Sequence, residues 1–407
     1  LDELIAYLSS GGVRHLLRFK SAKRENEYVH ITRVAEMIRT TGNLHEFHNR
    51  DSAVETTRKY NIIEGTQWYP LLRYGMPREL PPSMIRSKLE THLSGRTHLP
   101  QSKGGHSISD ALDDVDLVLK GIGSMSKFSG GNGLMFSKFQ VDGIVKTLLQ
   151  SWTDTMGEAV VITADTGMGK TLGFAIPVLV DAVLSLRNPE KTVSQLLLYP
   201  RVALAKDQYN ELHKYVARVN TELKSHDRPY VGIAVDAEGL IKNVPKYKNY
   251  PFKKGEKAPE WGVGAKTVSS ATESVYGGDK PAQILIASIE SFRRRLRFPV
   301  VVQALGRGLQ RLVFDEVHLS SSIQGAHHNR LVARLKQIVH THSRKLTAVG
   351  VSATIAKPIE HLSKIWGCNE KHVLHVDGTA PNDGSAAGIM HHVLFKPRRG
   401  TPVIGAL

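Results

Sequence analysis

The chain is poor in the residues that would mark several common classes. A single cysteine, Cys368, among 407 residues excludes a disulfide scaffold and any Cys-rich zinc module. No run of about 18 apolar residues occurs, so no segment reads as a membrane span. The opening LDELIAYLSS lacks a basic stretch ahead of an apolar core and does not read as a signal peptide. Internal repeats are absent, and nothing ahead of residue 130 carries a chemical motif. A soluble cytoplasmic protein is the expectation. The chain starts without Met and stops within VIGAL, as a piece of a longer protein would.

What is present is ordinary in bulk and uneven in layout. Hydrophobic residues make up 41% and charged residues 23%, which excludes wholesale disorder. At roughly 100–200 residues per domain the length predicts two or three domains. The net charge is +16, from 54 Lys+Arg against 38 Asp+Glu. Residues 1–120 are almost balanced, so the excess lies in residues 121–407. Such asymmetry suits a polyanion partner, most often nucleic acid, although solubility alone accounts for it equally well.

Residues 1–120 read as an accessory, mainly helical N-terminal domain, with helical spacing in LDELIAYL and VAEMIRTTGNLHEF. Within it, WYPLLRYGMPRELPP reads as loops. Residues 121–134 are Gly/Ser-rich and read as a linker. From 135 to 375 short β-branched runs alternate with helical patterns. Strands are expected at 159–164, 195–200, 230–235, 283–288, 311–316 and 347–353, and helices from near Lys170, Ala203, Glu290 and Ala326. That alternation predicts an α/β fold with a parallel sheet covered on both faces. Residues 236–282 interrupt it with interleaved Lys and aromatics (Lys242 to Lys254), suited either to tracking a nucleic-acid backbone or to a solvated insertion. Residues 376–407 read as a linker onward.

Three motifs carry the chemistry. In AVVITADTGMGKT a strand runs through Thr166, Gly167, Met168, Gly169, Lys170 and Thr171 into a helix. Glycines let the backbone curl its N–H groups around phosphate oxygens, and the helix N-terminus faces the same anion. Lys170 suits the β/γ-phosphates and Thr171 suits Mg²⁺. In LVFDEVH the strand ends on Asp315, Glu316 and His318. Asp315 is placed to hold Mg²⁺, and Glu316 to orient and deprotonate a water. Ser352 and Thr354, in Ser-Ala-Thr after the next strand, are placed to hydrogen-bond back to His318.

The order AxTGxGKT, DEVH, SAT resembles superfamily 2 helicases of the DExH kind, over about residues 135–375. The resemblance implies a RecA-like motor domain that binds ATP and Mg²⁺ and moves on nucleic acid. It implies further sites. Phe136 and Gln140 match an adenine-reading motif. Pro200, Arg201 and Gln208 match motif Ia, and Ser288 matches motif Ib, the two segments that grip one strand's phosphates. Arg201 and Ala287-Ser288-Ile289 depart from the usual residues. Arg293 and Arg294 follow on a helix, either as nucleic-acid contacts or as a solvated face. The His-rich stretch around His318, His327 and His328 lacks cysteines and the spacing of a zinc site.

No second RecA-like domain or downstream arginine motif is found, so the segment should bind nucleotide and hydrolyse it slowly. Among relatives the segments look most like large DNA helicases, such as Lhr-like enzymes and phage-defence helicases. DNA is thus expected over RNA, with a nuclease or other defence subunit as a possible partner. A duplex translocase, an RNA helicase and a nucleotide-gated scaffold for a nuclease remain as alternatives.

Overall fold

The structure is a computed structural model. It describes residues 63–74, 76–100, 104–125, 133–153, 156–165, 167–188, 192–236, 282–320, 322–353, 355–378 and 386–397. The expected N-terminal helices and the Lys/aromatic insertion lie outside these residues. The chain forms two units, one of residues 1–75 with 382–407 and one of residues 76–381.

In the first unit, β1 (Ile63–Tyr74) pairs antiparallel with β9 (Ala386–Pro397), Trp68 opposite Val393. Two readings are corrected here. WYPLLRY is a strand, not a loop, and much of the expected C-terminal linker is its partner. Pro70 lies within β1, opposite His391 of β9.

The second unit holds the remaining elements. Helices α1 (Ser83–Leu93), α2 (Ile108–Gly123) and α3 (Lys138–Trp152) lead into β2 (Ala159–Ala164) and α4 (Lys170–Ser185). Then follow β3 (Gln195–Tyr199), α5 (Val202–Ser225) and β4 (Ile233–Asp236). Next come β5 (Ile284–Ser288), α6 (Ile289–Arg295), α7 (Pro299–Gly308) and β6 (Arg311–Phe314). The unit closes with α8 (Ser322–His340), β7 (Thr347–Ser352), α9 (Pro358–Trp366) and β8 (Val373–Gly378). The seven strands form one parallel sheet in the order β4-β5-β3-β6-β7-β2-β8.

Apart from the edge strand β8, both faces of this sheet are buried. Val160 and Ile162 of β2 join one core with residues of α1–α5, while Val161 joins the other with residues of α6–α9. That two-sided burial is why the strands read as continuous apolar runs rather than alternating ones. Five expected strands keep their places within a residue or two, and the sixth shrinks to β4. The edge strand β8 was not anticipated, because VLHVDG alternates polar residues and ends on glycine.

The boundary also moves. The expected break at residues 121–134 instead finds α2 running to Gly123 as part of the sheet-bearing unit. Asp114 of α2, wholly buried, accepts from Arg187 at 3.0 Å and pairs with Arg228, beyond the ends of α4 and α5. Ser107 caps the start of α2 by accepting from Asp110 N.

Candidate nucleotide and nucleic-acid sites

The carboxyl ends of the parallel strands converge on one edge, which in such sheets is where ligands bind. β2 delivers the phosphate loop there. Gly167 and Gly169 adopt φ +87° and +84°, left-handed angles that a side chain would strain. Gly169 immediately precedes α4, so the loop ends on a helix N-terminus. Lys170 Nζ donates to Ala164 O at 2.5 Å. Burial lowers its pKa, opposed by the charges of Glu316, Asp315 and Asp165. Thr171 is half-buried in the first turn, as is Met168 within the loop. Thr166 and Thr354 lie outside the described residues.

β6 brings the acidic pair alongside. Asp315 N donates to Leu198 O at 3.2 Å, and Asp315 Oδ1 accepts from Glu316 N at 2.9 Å. Burial first, and Glu316 second, push the Asp315 carboxyl up to about 6. Glu316 has φ +51°, an uncommon conformation for a residue with a side chain. Strain of this kind costs about 1–3 kcal/mol and persists where the surroundings over-determine it. Part of the restraint comes from α9, where His361 Nε2 donates to Val317 O at 2.8 Å. Sequence reasoning missed His361, and no local pattern signals it.

His318 Nδ1 lies 3.0 Å from Ser352 Oγ and 3.3 Å from Glu316 Oε2. The last residue of β7 is thus linked through one imidazole to the acidic motif. The adjacent carboxylates of Asp315 and Glu316, the first pushed toward its neutral form by burial, suit a hard divalent cation. Such an ion takes oxygen donors and would relieve the repulsion within the pair.

Other expected residues fare differently. Phe136 is wholly buried and Phe139 nearly so, which leaves neither ring a face for a base. Phe136 is instead a backbone anchor, its N–H donating to Leu80 O at 2.8 Å and its carbonyl accepting from Glu79 and Leu80. Gln140 does reach the phosphate loop. Its Oε1 accepts from Ser137 N and its Nε2 donates to Gly169 O, each at 3.0 Å, so it braces the loop against α3.

Along the neighbouring strands, Tyr199 is in register with Ser288. Ser288 is buried and caps α6, accepting from Ser291 N and donating to Ser291 Oγ at 2.9 Å. The amide oxygen of Gln208 is enclosed as well. Ser288 thus spends its hydroxyl on the helix cap rather than holding it free for a nucleic-acid backbone, unlike the expectation from motif Ib. Arg201 is exposed at the start of α5, with Pro200 half-buried before it. Arg293 and Arg294 are exposed on α6, within 3.6 and 3.5 Å of Glu290. Arg295 turns inward and grips Asp236 through Nε and Nη2 at 2.8–3.0 Å. Tyr199, at the head of the motif Ia match, has a buried hydroxyl with no hydrogen-bond partner among the described residues.

Residues 146–362, just over half of the chain, match the DEAD/DEAH box helicase family. The chain belongs to that family. The two residues proposed to read adenine, Phe136 and Gln140, precede the matched region. The ATP-dependent helicase HRQ1 of Saccharomyces cerevisiae is 24% identical over 243 residues, 59% of this chain and 18% of that protein. YprA of Bacillus subtilis, described as an ATP-dependent helicase, is 26% identical over 241 residues, 59% of this chain and 26% of that protein. The matched region thus spans about a quarter or less of these curated relatives. Among solved structures, the DUF1998 helicase MrfA bound to DNA is similar at TM-score 0.48 and 19% identity, covering 81% of this chain and 32% of that one. Mycobacterium smegmatis helicase Lhr bound to ssDNA and AMP-PNP gives TM-score 0.40 at 18% identity, covering 60% of this chain and 28% of that one. The DEAD/DEAH box match makes this a superfamily 2 helicase motor domain of RecA-like fold. No helix among the described residues is long and apolar enough to cross a membrane.

Proposed function

We propose that this chain is the ATP-binding half of a motor that moves on nucleic acid, DNA in preference to RNA. The observation that carries this reading is the convergence of Lys170, Asp315, Glu316 and the His318–Ser352 pair on one sheet edge. Lys170 leaves its carbonyl partners to neutralise the β/γ-phosphates. Thr171 and Asp315 would hold Mg²⁺, which supplies charge neutralisation on the phosphates when bound. Glu316 orients the attacking water and accepts its proton. His318 and Ser352 report the state of Glu316 to β7 and the chain beyond it, linking nucleotide state to movement. Arg201, Arg293 and Arg294 supply exposed charge for one strand's phosphates.

Hydrolysis is slow without arginines from a second RecA-like unit, since such residues are worth about 10³–10⁵ in rate. The DNA preference, the place in the cytoplasm and a role beside a nuclease in antiphage defence rest on resemblance. The test is ATP turnover by the full-length protein with single-stranded DNA, duplex DNA or RNA, beside Glu316→Gln. The motor reading expects one polymer to stimulate turnover and the variant to lose it by at least about 10²-fold. Stimulation by RNA alone would replace DNA as the track. A variant that matches wild type, with no polymer effect, would overturn the motor.

A further inference from the structure

We propose that Arg78 is a phosphate-contacting residue of the nucleotide site, a second cation delivered to the loop from the segment ahead of α1. This rests on the ATP site described above.

Position is the first argument. A Cβ placed on Gly169 would stand 3.0 Å from Arg78 Nη2 and 2.6 Å from Gln140 Nε2. The guanidinium therefore lies against the glycine that opens α4, where a helix N-terminus and the loop amides attract an anion. A guanidinium fork matches two phosphate oxygens at once, which a lysine does not.

Rigidity is the second. Arg78 stands between Pro77 and the pair Pro81-Pro82, whose rings restrict the backbone. Three backbone hydrogen bonds of 2.8–3.1 Å join Glu79 and Leu80 to Phe136. Phe136, buried beneath, holds this arm to the start of α3. The arm is fixed while the Arg78 side chain is exposed, and it makes no ion pair with a described residue.

Charge is the third. Three carboxylates, Asp165, Asp315 and Glu316, act on Lys170. A second cation at the loop would help offset this negative charge when a polyphosphate binds. Arg78 supplies positive charge at Gly169, beside Gln140.

The experiment is equilibrium binding of ATP, ADP and AMP with Mg²⁺, by displacement of a fluorescent nucleotide from the full chain. Wild type, Arg78→Ala, Arg78→Lys and Lys170→Ala are compared, with thermal unfolding of each. Arg78→Ala is expected to unfold like wild type and to lose ATP and ADP affinity about ten- to hundredfold, the worth of a charged hydrogen bond. Arg78→Lys recovers part of the loss, and AMP is affected much less. If Arg78→Ala binds ATP like wild type while Lys170→Ala does not, the proposal falls and the phosphate loop stands. Equal losses for ATP and AMP would place Arg78 on the base or ribose and overturn a phosphate role. If Lys170→Ala also binds like wild type, the ATP site itself is misplaced, and this proposal falls with it.

Discussion

At the scale of single residues, Asp315 shows how the site trades stability for chemistry. Its carboxyl is raised from 3.8 to about 6 by burial and by Glu316. The folded state therefore favours the neutral form. The group opposes folding above about pH 6, and the penalty fades as pH falls toward 3.8. Asp315→Asn removes the ionised form at almost constant shape. It should raise the melting temperature at pH 7.5 by a few degrees, with the gain shrinking toward pH 4, while ATP turnover is lost. Differential scanning fluorimetry across that range checks it, and a gain that stays constant with pH would refute the cause. The place of Asp315 at the end of a strand was readable from LVFDEVH alone. The fate of Ser288 was not, because a hydroxyl that grips phosphate and one that caps a helix have the same sequence signature. Burial separates them.

At the scale of elements, the sheet is fastened to its helices by polar groups that looked superficial. Arg311, the first residue of β6, and Asp181 of α4 are both wholly buried and lie 3.0 Å apart. Asp181 also accepts from Trp152 Nε1 at 2.9 Å and Ser151 Oγ at 3.1 Å, while Arg311 donates to the carbonyls of Thr147 and Pro177 at 2.9 Å. α3, α4 and β6 thus share one network. Removing one partner of a buried pair leaves the other charged and unsolvated, so Asp181→Ala should cost about 3–5 kcal/mol in denaturant unfolding. A loss under about 1 kcal/mol would mean that water reaches Arg311. In the sequence, Arg311 heads RLVF as a surface charge would, and Asp181 sits within PVLVDAVL as one polar position. Helix α2 was likewise assigned to a separate region, since the Asp114 contacts that bind it are formed with residues far along the chain.

At the scale of the whole molecule, the proposed nucleic-acid track would be met by a chain of net charge +16. Binding through phosphates releases counterions, so affinity for a single-stranded oligonucleotide should fall steeply between about 50 and 200 mM salt. Replacing Arg293 and Arg294 with Ala should flatten that dependence, measured by fluorescence anisotropy, and leave ATP affinity unchanged. An unaltered salt slope would move the track away from α6.

The sequence by itself determined the nucleotide chemistry. A strand, two glycines in left-handed turns, a lysine and a helix start are contiguous, and their geometry follows from local backbone preference. It also determined the parallel sheet, whose two-sided burial imposes unbroken apolar runs. Only the tertiary structure decided which polar side chains face a ligand. Gln140 became a brace, Phe136 an anchor, Ser288 a cap and Arg311 a buried strut. Arg78 came to rest on Gly169 from a proline-flanked arm that the sequence placed in a loop. Each outcome depends on a contact between segments far apart in the chain, and that contact sets desolvation and hydrogen-bond partners where local spacing has no influence.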